Sequence, residues 1–259
     1  MERNIAVIRT IDLLGVFWRS FFIQASWSYD RLQSLGFAFA LIPILRRLYP
    51  DREEFTGRLA AHMEYFNTQP YLASFVLGAA ARAEEDRASG RNAAADNMEL
   101  KRTLMAPLGA LGDSFFWGSL KPFAASAAVA VLLAGAWWAP LLFLVLYNIA
   151  HVGLRLSLVF VGYETGGDVV ALMSRYNFTR LARRYKVLSL AIIGCIAGTL
   201  SAWGTEFRIP VAVSPSFLAA TGLALTLGMI VLLRIGASPV KIMIGLAAAC
   251  LMLAFGGFA

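Results

Sequence analysis

The chain has 259 residues, 59% of them hydrophobic and 15% charged, where soluble domains carry about a quarter charged residues. With a mean hydropathy of +0.66, this composition excludes an ordinary soluble domain and makes lipid part of the solvent. The net charge of +7 does not mark a nucleic-acid binder: residues 1–120 carry 13 basic and 13 acidic residues, and the excess lies mostly in short loops between apolar runs of residues 121–259.

The first residues, Met1 to Thr10, show no cleavable apolar core, as expected where the start of a chain stays in the cytoplasm. Residues 31–49 are apolar in the middle, interrupted by Pro43 and closed by Arg46 and Arg47. Residues 53–66 read as an amphipathic helix, because Phe55, Leu59, Met63 and Phe66 recur at helical steps. Pro70 opens a segment over 70–88 that is apolar to Ala80 and charged from Arg82, and 88–101 reads as a polar loop. None of these is an unbroken run of about 20 apolar residues. Backbone at membrane depth must be paired or sheltered, so re-entrant or short helices covered by a partner chain are expected here.

The second half predicts five spans, over 122–140, 141–163, 187–204, 216–233 and 239–258. Trp137 and Trp138 suit a membrane interface. The bases Arg175, Arg180, Arg183, Arg184 and Lys186 come after the second span, and Arg234 and Lys241 after the fourth. Basic loops stay inside, so the C-terminus is expected on the outer face. The expected fold class is an all-α integral membrane protein, with residues 1–120 as a half of amphipathic and re-entrant broken helices and 121–259 as a transmembrane helical half.

Candidate chemistry gathers in two stretches. In HMEYFNTQPY, residues 62–71, Asn67, Thr68 and Gln69 stand together, and uncharged donors and acceptors suit a neutral polyol. Trp27 and Tyr29 offer faces for stacking on a sugar ring. The same Asn-Thr-Gln run before Pro70 also reads as a helix stop. Asp113, alone among glycines and aromatics, reads either as the cap of a helix over 114–120 or as a buried ligand-binding carboxylate. Asn148, His151 and Arg155 share one helix face inside a span and predict an interior polar seam. His62 and His151 have no metal-ligand spacing, Cys195 and Cys250 read as small packing residues, and no phosphate loop or nucleophile motif occurs. No catalytic residue, metal or cofactor is expected.

Four motifs carry a family resemblance: FWRSFFIQASWSYDRLQSLGFAFALIPILRRLYP at 17–50, EYFNTQPY at 64–71, LMAPLGALGDSFFWGSLKP at 104–122 and GYETGGDVV at 162–170. They resemble the IID subunit of the mannose/fructose/sorbose-type bacterial phosphotransferase permease, over roughly residues 10–205. The resemblance implies an inner-membrane subunit that forms the sugar pathway with a IIC subunit, in oligomers of IIC–IID pairs. It implies IIA and IIB partners that carry the phosphate on their own histidines, and a hexose-type substrate. It implies sugar contacts from Asn67 and Gln69, with Asp113, Glu64, Gln24 and Trp27 as further candidates. Two other readings are a receptor or regulatory membrane protein and an ion-coupled transporter. The latter needs carboxylates inside its spans, and the five expected spans contain none.

Overall fold

The computed structural model describes residues 7–91 and 97–203, with scattered positions between 224 and 252. Residues 1–199 form one compact unit and residues 200–259 another. In the first unit, α1 (Thr10–Ser20), α2 (Ser34–Leu48), α3 (Arg52–Ala61) and α4 (Ala73–Ala88) precede the long helices. Pro43 does not break α2, which runs through it with Phe37, Leu41, Ile44 and Leu45 fully buried. The Asp51 carboxylate caps α3 by accepting from the Glu53 and Glu54 backbone N–H groups at 3.0 and 2.9 Å. That helix ends at Ala61, shorter than the expected 53–66, and α4 begins one turn after Pro70.

The polar loop expected over 88–101 is overtaken by helix from Asn97 onward. There, α5 (Asn97–Gly112), a π-helical stretch (Asp113–Leu120) and α6 (Lys121–Leu133) form one rod. Over Met98–Leu133 it is long and apolar enough to cross a membrane, as is α7 (Ala139–Thr165). Trp137 and Trp138, 86% and 45% exposed, sit in the turn between them. Pro122 has no N–H to donate, and the ladder before it widens to bonds five residues apart, the Lys121 N–H reaching the Phe116 carbonyl. The expected boundary at residue 120 falls inside this rod.

α4 crosses α7 with backbone against backbone. A Cβ built on Gly78 would stand 2.0 Å from the Val159 carbonyl oxygen, and one on Gly162 would stand 2.0 Å from that of Phe75. Small residues at such a crossing give the close approach that drives helix association in lipid, where hydrophobicity does not. Much of the shelter expected from a partner chain therefore comes from this chain's own α7. After α7, Gly166 closes the helix in the left-handed region at φ 61°, and Asp168 caps α8 (Val169–Tyr176) through the Val170 and Ala171 N–H groups. The GYETGGD run is thus a crossing point, a helix end and a helix start.

α9 (Phe178–Trp203) covers the expected third span. It packs on the rod through Phe115–Phe178 and Phe123–Tyr185 ring contacts, 5.3 and 5.0 Å between centroids. Cys195 lies exposed on it as a free thiol, not packed as expected. Cys250 and most of the expected spans 216–233 and 239–258 fall outside the described residues.

Candidate functional site

The two polar stretches meet. The loop at 67–69 lies along the α5 face formed by Met105, Gly109 and Gly112, which stand four and three residues apart. Thr68 Oγ1 donates to the Met105 carbonyl at 2.9 Å, and the Asn67 N–H points at Met105 Sδ at 3.2 Å. Gln69 fills the notch left by Gly112, where an added Cβ would stand 2.5 Å from Gln69 Cβ. No other residue fits at 112 without moving the loop.

Gln69 is 2% exposed. Its Oε1 accepts from the Tyr71 and Leu72 N–H groups at 2.8 and 3.0 Å, so the side chain caps the start of α4. Its Nε2 is buried with no hydrogen-bond partner. A buried donor without a partner is costly, so Gln69 is both a structural cap and a group with unspent hydrogen-bonding capacity. Asn67, next to it in the same loop, is exposed.

Two side chains fix this loop from outside. Gln33 is buried and pairs with Thr68 as a strand would: its Nε2 donates to the Thr68 carbonyl at 2.8 Å and its Oε1 accepts from the Thr68 N–H at 3.1 Å. The turn carrying Gln33 holds Leu32 at φ 51°, a left-handed conformation unusual for a branched side chain. From the α7 side, buried Arg155 donates to the Ser20 carbonyl and to the Pro70 carbonyl, the latter at 3.3 Å. Tyr71 lies against His151 with 3.9 Å between ring centroids and the planes tilted by 38°, and its hydroxyl accepts from that of Tyr147 at 3.1 Å. The expected polar seam of α7 is interior only in part: buried Arg155 and half-buried His151 hold the end of α1 and the start of α4, whereas Asn148 is exposed and its Nδ2 donates to the Leu144 carbonyl of its own helix.

The segment before the loop is anchored on buried Glu84. Its carboxylate takes Tyr49 Oη at 2.7 Å, Arg58 Nε at 3.1 Å, a second Arg58 bond from Nη2, and His62 Nε2 at 3.0 Å. These groups lie outside the two spans, at the charged end of α4 and on α2, α3 and the α3 end. Burial alone would raise the Glu84 carboxyl, but the hydrogen bonds from His62 and Arg58 outweigh it and bring it to about 2. Burial lowers the His62 imidazole more than Glu84 raises it, so the ring stays neutral and donates from Nε2. The neighbouring Glu85 accepts from the Ile8 N–H at 2.9 Å and from Tyr163 Oη at 2.6 Å.

Beside the loop opens a cavity of about 450 Å³, lined among others by Arg31, Glu64, Lys101, Arg102 and Met105. Glu64 Oε2 is buried there with no hydrogen-bond partner. Met105 belongs both to this cavity and to the platform under Asn67 and Thr68.

Residues 7–259 match the family described as the PTS system mannose/fructose/sorbose family IID component. The chain belongs to that family. The mannose-specific EIID component of Escherichia coli K12 is 36% identical over 205 residues, 78% of this chain and 71% of that protein. The sorbose-specific EIID component of Klebsiella pneumoniae is 32% identical over 206 residues, 78% of this chain and 73% of its own. A solved chain in the cryo-EM structure of the mannose transporter ManYZ in complex with microcin E492 is 30% identical, with a TM-score of 0.59, covering 97% of this chain and 98% of that one. This IID component is a membrane subunit of a phosphotransferase sugar permease.

Within the IID component the six candidate residues separate. Asn67, Gln69 and Asp113 lie around one contact, Glu64 lines the cavity, and Gln24 and Trp27 stand exposed between α1 and α2. Among the described residues no hydrogen bond ties Gln24 or Trp27 to 64–71. The cap and the burial expected of Asp113 need correction. It caps nothing, because the helix runs continuously through Gly112 and offers no free N–H groups there, and it is exposed rather than buried. Gln33 and Tyr71 carry weak signals in the sequence. Gln33 shows only as an amide before an apolar run, and Tyr71 only as the residue after Pro70.

Proposed function

We propose that this IID component joins a IIC subunit to form the sugar pathway through the bacterial inner membrane, and that the loop at 67–69 is its contribution to holding the sugar. The carrying observation is the seating of Asn67, Thr68 and Gln69 on the Met105–Gly109–Gly112 face. It presents an exposed amide at Asn67 beside an unpartnered amide nitrogen at Gln69, on an anchored backbone. Uncharged amides bind hydroxyls without the desolvation cost of charge. Asp113 borders the same surface one residue beyond Gly112, Glu64 offers an acceptor nearby, and Gln24 and Trp27 lie on the turn leading to Gln33.

The substrate is a hexose-type sugar. It moves by alternating access and is trapped inside as a sugar phosphate by phosphate passed from IIA to IIB. No residue of this chain carries the phosphoryl group. IIC–IID pairs assemble into an oligomer. The basic loop 164–186 faces the cytoplasm, as does the N-terminus, and the C-terminus lies outside. The Met98 end of the first span then faces inward. Asn67→Ala abolishes sugar uptake by membranes containing the cognate IIC, IIA and IIB subunits, while IIC and IID still co-purify. Normal uptake by that variant removes Asn67 from the site.

A further inference from the structure

The cavity beside the loop has a lining that a neutral sugar does not require. Three cations, Arg31, Lys101 and Arg102, share it with one carboxylate, Glu64. Arg31 and Arg102 are exposed, Lys101 is 1% exposed, and Glu64 keeps one oxygen buried and unpartnered. Arg31 spends one bond, from Nη1, on the Met63 carbonyl at 3.3 Å. Guanidinium forks match the oxygens of a phosphate, and charge-assisted bonds to it are the strong ones. A carboxylate oxygen accepts only, so it suits a hydroxyl and repels a bare anion. The two requirements are met together by one kind of molecule.

We propose that this cavity binds a phosphate-bearing polyol, with Arg31 and Arg102 on the phosphate, Lys101 adding to the positive field, and Glu64 accepting from a hydroxyl. The proposal rests on the function proposed above. In that orientation the cavity sits at the cytoplasmic end of the Met98–Leu133 span, the side on which sugar becomes sugar phosphate. Its volume of about 450 Å³ is of the size of small-molecule sites, about 300–1,000 Å³. Two sources share the chemistry: the sugar phosphate on its way out, and the headgroup of a polyol phospholipid at the membrane surface.

The test uses the IIC–IID complex in phosphatidylcholine nanodiscs, titrated calorimetrically with mannose 6-phosphate and with inorganic phosphate. Wild type binds mannose 6-phosphate more tightly than inorganic phosphate. Arg31→Gln and Arg102→Gln each weaken mannose 6-phosphate about tenfold, the loss of one charge-assisted hydrogen bond. Glu64→Ala, which removes both the hydroxyl acceptor and the charge that repels a bare anion, narrows the difference in affinity between mannose 6-phosphate and inorganic phosphate. A second arm compares melting in discs with and without phosphatidylglycerol. A rise in Tm that is lost in the Arg31→Gln, Arg102→Gln double variant, with no mannose 6-phosphate binding, keeps the phosphate site and assigns it to lipid. If the double variant matches wild type toward both probes, the proposal is overturned. Asn67-dependent sugar uptake alongside that result leaves the proposed function standing.

Discussion

Along α4, residues Ala73 to Ala81 and residues Arg82 to Ala88 are held by different means. The first stretch is apolar and buried and meets α7 backbone to backbone at Gly78 and Gly162. The second presents Glu84 and Glu85, which tie α4 to α2, α3, the chain start and α7 through Tyr49, Arg58, His62, Ile8 and Tyr163. The crossing depends on shape and tolerates no added atom. The charged end depends on chemistry and tolerates no lost partner. Together they set where α4 begins, and so where the capped loop at 67–69 lies against α5.

The largest effect is expected at the crossing. Gly78→Leu or Gly162→Val puts a side chain where a backbone oxygen already sits, 2.0 Å from the new Cβ. Neither variant accumulates as folded protein in the membrane, read as loss of the monodisperse IIC–IID peak on size exclusion. At the charged end the effect is graded. Glu84→Ala leaves half-buried Arg58 and buried His62 without their acceptor and costs about 2–3 kcal/mol, since Arg58 regains some water, read as a lowered melting temperature of the purified complex. Glu84→Gln keeps the shape and loses less. If Gly78→Ala melts further below wild type than Glu84→Ala, the crossing dominates even for a single methyl group. The reverse order assigns the larger share to the charged end.

The smallest effect is the response to pH. His62 is held neutral when folded, below its usual range, so the unfolded chain takes up a proton that the folded chain refuses. Stability therefore falls as pH drops through the ordinary histidine value near 6.5, by up to about 1.4 kcal/mol per pH unit. Glu84 works in the same direction at lower pH, its contribution being present above about 4.5 and lost as pH falls toward about 2. His62→Gln flattens melting between pH 7.5 and 5.0 and leaves the acid limb below 4.5 in place. An unchanged slope in that variant means that the window belongs to another group.

The spans near the chain middle were legible because composition alone dictates them, and Trp137 and Trp138 marked a real turn. The start of the first span was hidden: residues 97–101 are polar enough to read as loop, yet they open a helix that lies beside 63–69. Pro43 misled because a buried helix compensates for one missing N–H with its neighbours. The loop at 67–69 could be named from residue type, but its partner surface on α5 could not, since Gly109 and Gly112 signal permission rather than contact. Glu84 and Glu85 looked like the solvated end of a charged helix. Nothing local distinguishes a carboxylate that faces water from one that three other segments close over.

The rod that carries Asp113 contains eight residues, Asp113 to Leu120, bonded in the wider π pattern. In an α-helix each residue turns the chain by about 100°. The wider π pattern begins at Asp113, directly beyond Gly112, so the helical steps that place Met105, Gly109 and Gly112 under the loop at 67–69 are not continued along the rod past that point.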